Sequence, residues 1–330
     1  MKKRKFHLSA AVILLMAALA CSLPGLTVNP TQAPVPPTAT QPSLPTNTPL
    51  PPPTSTVIPS PTAELPTPTI EVKHAIIPAS SVEISTLHHD VTSVDTASEN
   101  RAPYGDSYDR SLFERPFTQD MQYIPDLDIA SFNLSSDEKF YFVSIELVGP
   151  NPNNEIGIQY AVELDMDADG FGDFIIVAYP PHGFEWTTDN VRVYQDTDHD
   201  TGGLSAEKSD APLPGDGYDT LIFDSGRGEN NDPDLAWVRV NAGKYATVQF
   251  AFKVSWAGPR FMYGVMADAS HFSDVAEMDY VDRLTYEEAG SPVRGKEEYP
   301  LKGLYQIDNT CWEVHGMKGT GEEPKLCPRD

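Results

Sequence analysis

The sequence predicts an all-β protein, an antiparallel β-sandwich carried behind a signal peptide and a disordered Pro/Thr-rich stalk. Three observations predict it. Apolar residues recur at every second position in several stretches, the period of a strand with one buried face. Clusters of Gly, Pro, Asn and Asp separate those stretches at short intervals, as in a sandwich of many short strands. Long amphipathic helices are absent, and the best short one runs from Asp274 to Glu288, stopped by Gly290 and Pro292.

The chain opens with Lys2, Lys3, Arg4 and Lys5, an apolar stretch from Ala10 to Ala20, and small residues before Cys21. Residues 1–20 therefore read as a signal peptide, and the apolar run is too short to span a bilayer comfortably. Ala18-Leu19-Ala20-Cys21 resembles the lipobox of bacterial lipoproteins, with Ala18 where that box prefers leucine. The resemblance implies an extracytoplasmic protein, surface exposed and lipid-anchored to the cell membrane through Cys21. Several acyl chains hold such a protein stably where one holds weakly. The other reading is an ordinary cleaved signal with a stray cysteine.

Residues 21–72 form the expected linker. Residues 22–70 hold 15 of the 31 prolines and 11 threonines, with Glu64 the only charge. Such a stretch buries too little apolar surface to fold and runs as a semi-extended, polyproline-like stalk. At about 3.1 Å per residue its ceiling is on the order of 150 Å. Its repeated Pro-Thr pairs resemble the stalks of surface lipoproteins in Chloroflexi-type bacteria.

Residues 73–295 are assigned to the sandwich domain and 296–330 to a C-terminal tail. In 156–165 the alternating residues are Ile156, Ile158, Tyr160, Val162 and Leu164; in 247–256 they are Val248, Phe250, Phe252, Val254 and Trp256. Further strands are expected at 139–147, 174–179, 191–195, 219–224, 236–240 and 261–267, with an edge strand and long loops in the polar stretch 73–115. Trp237 and Trp256 fall in alternating strands and are expected to be buried. Cys311 and Cys327 form an isolated pair, and outside the cytoplasm two such neighbours bond. Closing the 15 residues between them is worth about 3 kcal/mol on the chain-entropy model.

From residue 73 onward 19 basic and 46 acidic groups remain, a net charge of about −27. That field repels nucleic acid and anionic lipid and concentrates cations. Its everyday consequence is solubility, so charge alone names no site.

The sharpest local signal is 165–173, "DMDADGFGD". Calcium takes six to eight oxygens, and alternating carboxylates in a tight turn aim several at one centre. Asp165, Asp167, Asp169 and Asp173 stand at places one, three, five and nine of an EF-hand loop, Gly170 at six, and the Phe171 carbonyl at seven. Place twelve is Ile176, inside a strand, so this is an acidic hairpin and no EF-hand. Aspartate and glycine are also what plain hairpin turns prefer. A second run, "DTDHDTGG", sets Asp196, Asp198 and Asp200 at the same spacing, but its first glycine is Gly202, which predicts a different bend. Asp216, Asp219, Asp232 and Asp234 read as turn residues.

Other candidates are thinner. Tyr179, Phe184 and Trp186 crowd a Pro/Gly-broken loop and are candidates for a carbohydrate-stacking platform; the alternative is a loop folded over the sandwich edge. Asp224 in "LIFDSG" resembles the turn of aspartic proteases, but Arg227 follows where a small residue is usual and no second copy appears. His88, His89 and Asp90 form a polar patch read as a solvated loop. The chain lacks His-Glu-x-x-His, Gly-x-Ser-x-Gly and a phosphate-binding glycine loop.

"DLDIASFNLSSDEKFYFVSIEL" followed by "YAVELDMDADGFGDFIIVA" resembles the opening half of DOMON-like modules, the group that includes family-nine carbohydrate-binding modules. The resemblance covers about residues 126–268 and implies an immunoglobulin-like sandwich that binds sugars or ligates calcium. The expectation is a non-catalytic cell-surface module that holds Ca2+ and serves carbohydrate binding or adhesion, with membrane and glycan as partners. The alternatives are a secreted hydrolase using carboxylate chemistry and a purely structural envelope protein.

Overall fold

The computed structural model describes residues 72–79, 87–103, 115–199, 201, 217–269, 305–321, 323 and 326–328. All belong to one compact unit, Thr67–Asp330. The signal peptide, Cys21, the stalk up to residue 71, the Asp274–Glu288 helix, Asp200 and Asp216 lie outside the described residues.

Thirteen strands are described: β1 His88–His89, β2 Ile129–Ser136, β3 Phe140–Leu147, β4 Gln159–Asp165, β5 Phe174–Ala178, β6 Val191–Gln195, β7 Thr220–Asp224, β8 Arg227–Gly228, β9 Ala236–Asn241, β10 Thr247–Lys253, β11 Phe261–Asp268, β12 Ile307–Asn309 and β13 Glu313–His315. They form two antiparallel sheets, one ordered β1-β2-β3-β10-β9 and the other β12-β11-β4-β5-β6-β7-β8, with β13 also paired to β11. The protein is an all-β sandwich.

The alternation explains the core. Tyr160, Val162 and Leu164 of β4 and Val248, Phe250 and Phe252 of β10 are fully buried and belong to one apolar cluster between the sheets. Burying each such side chain is worth about 1.5–3 kcal/mol. Two predicted strand ends fail for identifiable reasons. Gly157, at φ 81°, breaks the extended run, so Ile156 is exposed and β4 begins at Gln159. After Lys253 the chain turns through one helical turn, Val254–Ala257, closed by Gly258 at φ 70°. Trp256 therefore sits on that turn, half-buried, edge-on to Phe174, whereas Trp237 is buried on β9.

The stretch assigned to a tail supplies β12 and β13, both paired to β11. Cys311 and Cys327 form the expected disulfide, with Cα atoms 4.9 Å apart. It fastens the segment carrying Trp312, which is buried against Gly264 of β11. Among the described residues no helix is long and apolar enough to cross a membrane.

Candidate metal centre

The register of three strands brings the two acidic runs together. Phe174, the first residue of β5, pairs with Leu164 of β4 on one side and with Gln195 of β6 on the other. Because β4 and β6 both run antiparallel to β5, they point the same way. Asp165 closes β4 and Asp196 follows β6, so both loops leave the sheet from one row at one end.

Each loop is wound around its first aspartate. Asp165 Oδ1 accepts the N–H groups of Asp167 (3.2 Å) and Ala168 (2.6 Å), and Oδ2 accepts that of Gly170 at 2.8 Å. Asp196 repeats the pattern with Asp198 (3.2 Å), His199 (2.8 Å) and Thr201 (2.8 Å). Both turns need a left-handed residue three places on, Ala168 at φ 66° and His199 at φ 60°. The sequence expectation of a different second bend is thereby overturned. Thr201 fills the place of Gly170, and the bend depends on the aspartate's acceptors rather than on a glycine there.

The loops are also bonded to one another. Asp196 donates its N–H to the Asp173 carbonyl at 3.0 Å, Thr201 Oγ1 donates to the Gly172 carbonyl at 2.7 Å, and His199 Nδ1 lies 3.5 Å from Asp173 Oδ1.

Two carboxylate groups result. Asp165, Asp167 and Asp173 bring ligand oxygens within 4.8 Å of one another, and so do Asp196, Asp198 and Asp219. Oxygens sharing one calcium ion at 2.3–2.6 Å lie at most about 5 Å apart, so both groups have the right span for a hard cation. Three carboxylates leave places for carbonyls or water among the six to eight that calcium takes. Among the described residues these are the only sets of three ligand-type side chains so placed.

Burial and mutual repulsion raise the cost of leaving these oxygens bare. Desolvation pushes the Asp165 carboxyl up to about 6, against the pull of the Gly170 and Ala168 N–H groups, and the nearby Asp169 and Asp173 charges push the same way. Asp173 is raised too, first by desolvation and then by Asp167 and Asp169. Asp219, exposed at the rim, is lowered by the Thr197 hydroxyl, by Thr220 and by the Thr197 N–H. It accepts from Thr197 N at 2.9 Å and Thr197 Oγ1 at 2.6 Å.

Asp169 does not join the first group; its Oδ1 accepts the Phe171 N–H at 2.9 Å and closes a local turn. Asp219 joins the second group although its neighbourhood reads as a simple turn. The pairing of β6 with β7, Gln195 opposite Thr220, carries it there, and no local spacing announces that.

The fold splits the three loop aromatics. Tyr179 packs on the outer face of the larger sheet beside Ile175 and Val177, under the Arg192 guanidinium 5.0 Å from its ring. Trp186 packs on the outer face of the other sheet, beside Phe140, Phe142 and Trp237, with the Arg239 guanidinium 4.6 Å away. Phe184 between them is exposed. The loop crosses the sandwich edge, and Thr187 makes a two-way bridge to Val238 of β9. No common platform forms from these three rings.

Asp224 faces Ser225 and Arg192, His88 Nδ1 lies 3.1 Å from Glu313, and Asp232 pairs with Lys253.

No family model, curated protein or solved structure matches the chain.

Proposed function

We propose that this protein is a non-catalytic, lipid-anchored surface module. Its β-sandwich binds calcium at the paired acidic loops and serves carbohydrate capture or adhesion. One observation carries the reading: two carboxylate triads of matching span sit on two hydrogen-bonded loops at one end of one sheet. Carboxylates about 5 Å apart repel by about 1 kcal/mol each in water and more beside protein. A plain turn gains nothing from that arrangement; a bound divalent ion turns the repulsion into cross-linking of the β4–β5, β6 and β7 ends. The oxygen-only donor set suits calcium, which tolerates irregular coordination, better than the softer metals that favour nitrogen and sulfur.

The stalk and the lipobox-like Cys21 supply the setting, a domain held clear of the membrane to meet extracellular partners. The test is thermal melting of the mature chain in chelator and in calcium. Saturation at a hundredfold excess over Kd adds about 2.7 kcal/mol to a protein that binds only when folded, so the midpoint should rise and chelator should reverse it. Identical curves would remove the metal from the reading.

A further inference from the structure

Three successive outward residues of one strand leave buried polar atoms unmatched. The outer face of the smaller sheet carries Ser131, Asn133 and Ser135 on β2, and the Ser131 Oγ, Asn133 Oδ1 and Ser135 Oγ atoms are buried without a hydrogen-bond partner, as is Trp237 Nε1 on β9. Native proteins leave few such atoms, and each calls for a water or ligand to complete it.

These atoms adjoin an ordered row. Asn133 stands opposite Ser144, Ser144 opposite Gln249, and Gln249 opposite Arg239, one residue from each of four strands. Gln249 Nε2 donates to Ser144 Oγ at 3.0 Å, and Arg239 Nε donates to Gln249 Oε1 at 2.7 Å. At the far end Arg239 lies over Trp186. Three strand spacings make the row about 14 Å long, the scale of a short oligosaccharide.

We infer that this face is a binding site for a neutral glycan, lying across the strands from Asn133 to Trp186. The inference rests on the carbohydrate half of the proposed function and places it away from the acidic loops. Amide and hydroxyl side chains both give and accept hydrogen bonds, as sugar hydroxyls do, and the indole offers an apolar plane for the sugar's C–H face. The row holds no carboxylate, and its one cation, Arg239, is already engaged by Gln249 and by the Trp186 ring, so it suits an uncharged ligand.

The entrance segment, residues 72–79, lies over the aromatic end. Asp234 accepts the N–H groups of Ala75 (2.9 Å) and Ile76 (3.0 Å), Ile76 packs beside Trp237 and Trp186, and Trp186 Nε1 donates to the Ala79 carbonyl at 2.7 Å. A glycan stacking on Trp186 displaces this strap.

The test is calorimetry of the mature chain, in calcium, against neutral hexasaccharides of glucose, xylose, mannose and N-acetylglucosamine. At least one should bind, and Asn133→Ala and Gln249→Ala should each weaken it tenfold or more. Asn133→Ala removes an unpartnered acceptor and strands nothing, so its loss of binding is separable from misfolding, with the calcium-induced rise in melting temperature as the control. Asp234→Ala should strengthen binding several-fold by freeing the strap; unchanged or weaker binding would overturn the displacement. If a sugar binds and both row variants keep wild-type affinity, the location is wrong and the carbohydrate reading stands. If none of the sugars binds, this site and the carbohydrate reading fall together, and the calcium reading is left to its own melting test.

Discussion

The backbone N–H of Asp196 is bonded to the carbonyl of Asp173 at 3.0 Å, so the second acidic loop begins where the first one ends. Two carboxylate groups that lie about thirty residues apart in the chain are consequently one structural unit. This bond and the one from Thr201 to Gly172 are the routes by which a change in one loop should reach the other.

Asp167 offers the cleanest separation of ion site from plain turn. It is exposed, belongs to the first carboxylate group, and its backbone N–H rather than its side chain serves the loop. In Asp167→Asn calcium affinity should fall by at least about tenfold, or 1.4 kcal/mol. Without metal the same variant should be unchanged or up to about 1 kcal/mol more stable, because a repulsion is gone. Calcium titration and urea melts read the two effects; a loss of metal-free stability with unchanged affinity would mark the loop as a turn alone.

Thr201 tests whether the loops act together. Its buried hydroxyl is the donor to the Gly172 carbonyl, and Thr201→Val leaves that acceptor unmatched at nearly constant volume. The cost should be roughly 1–3 kcal/mol, read as a lower urea midpoint. Calcium binding at Asp165, Asp167 and Asp173 should weaken as well, although none of them is altered.

Eight strands were legible, some by strict alternation, as Tyr160, Val162 and Leu164 show, and others, such as β5, as short apolar runs bounded by turn residues. Strand β2 was not among them. The register shifts between Ile129 and Ser131, so its inward apolar residues, buried Ile129 and Phe132 and partly buried Leu134, lose the period of two. Strands β12 and β13, at three residues each, are too short to show a period at all. For the site, the spacing of Asp165 and Asp167 and of Asp196 and Asp198 announced both loops, since each winds around its own first aspartate. Asp219 arrives through strand pairing, and the separation of Tyr179 from Trp186 follows from the loop crossing between sheets. Neither is encoded in local spacing.

The disulfide should matter through what it fastens. Cys311–Cys327 holds Trp312 against β11, where a Cβ on Gly264 would come 2.8 Å from the indole. Opening the bond should cost about 3 kcal/mol, seen as a lower melting midpoint in reductant and in Cys327→Ser. Gly264→Ala should cost a further 1–3 kcal/mol or so by overpacking the indole. The two losses should add to less than their sum, because both act on the seating of Trp312.

Asp128 sets a pH dependence opposite in sign to that of an ordinary ion-paired carboxylate. It is fully buried, accepts from Ser93 N at 3.0 Å and from the Tyr123 hydroxyl, and its Oδ1 has no partner. Desolvation pushes its carboxyl up to about 7, outweighing the Tyr123 and Ser93 hydrogen bonds that pull it down. Between its unfolded value near 3.9 and about 7 the folded chain keeps a proton that the unfolded chain releases. Stability therefore falls as pH rises through that window, at up to about 1.4 kcal/mol per unit, and levels off above it. Asp128→Asn keeps a neutral side chain at every pH, so in chelator its urea midpoint should exceed wild type at pH 8 and approach it near pH 4. Asp165 titrates in the same range, so a residual slope should survive in the variant. An equal slope in the two proteins would show that Asp128 is already ionised in the fold.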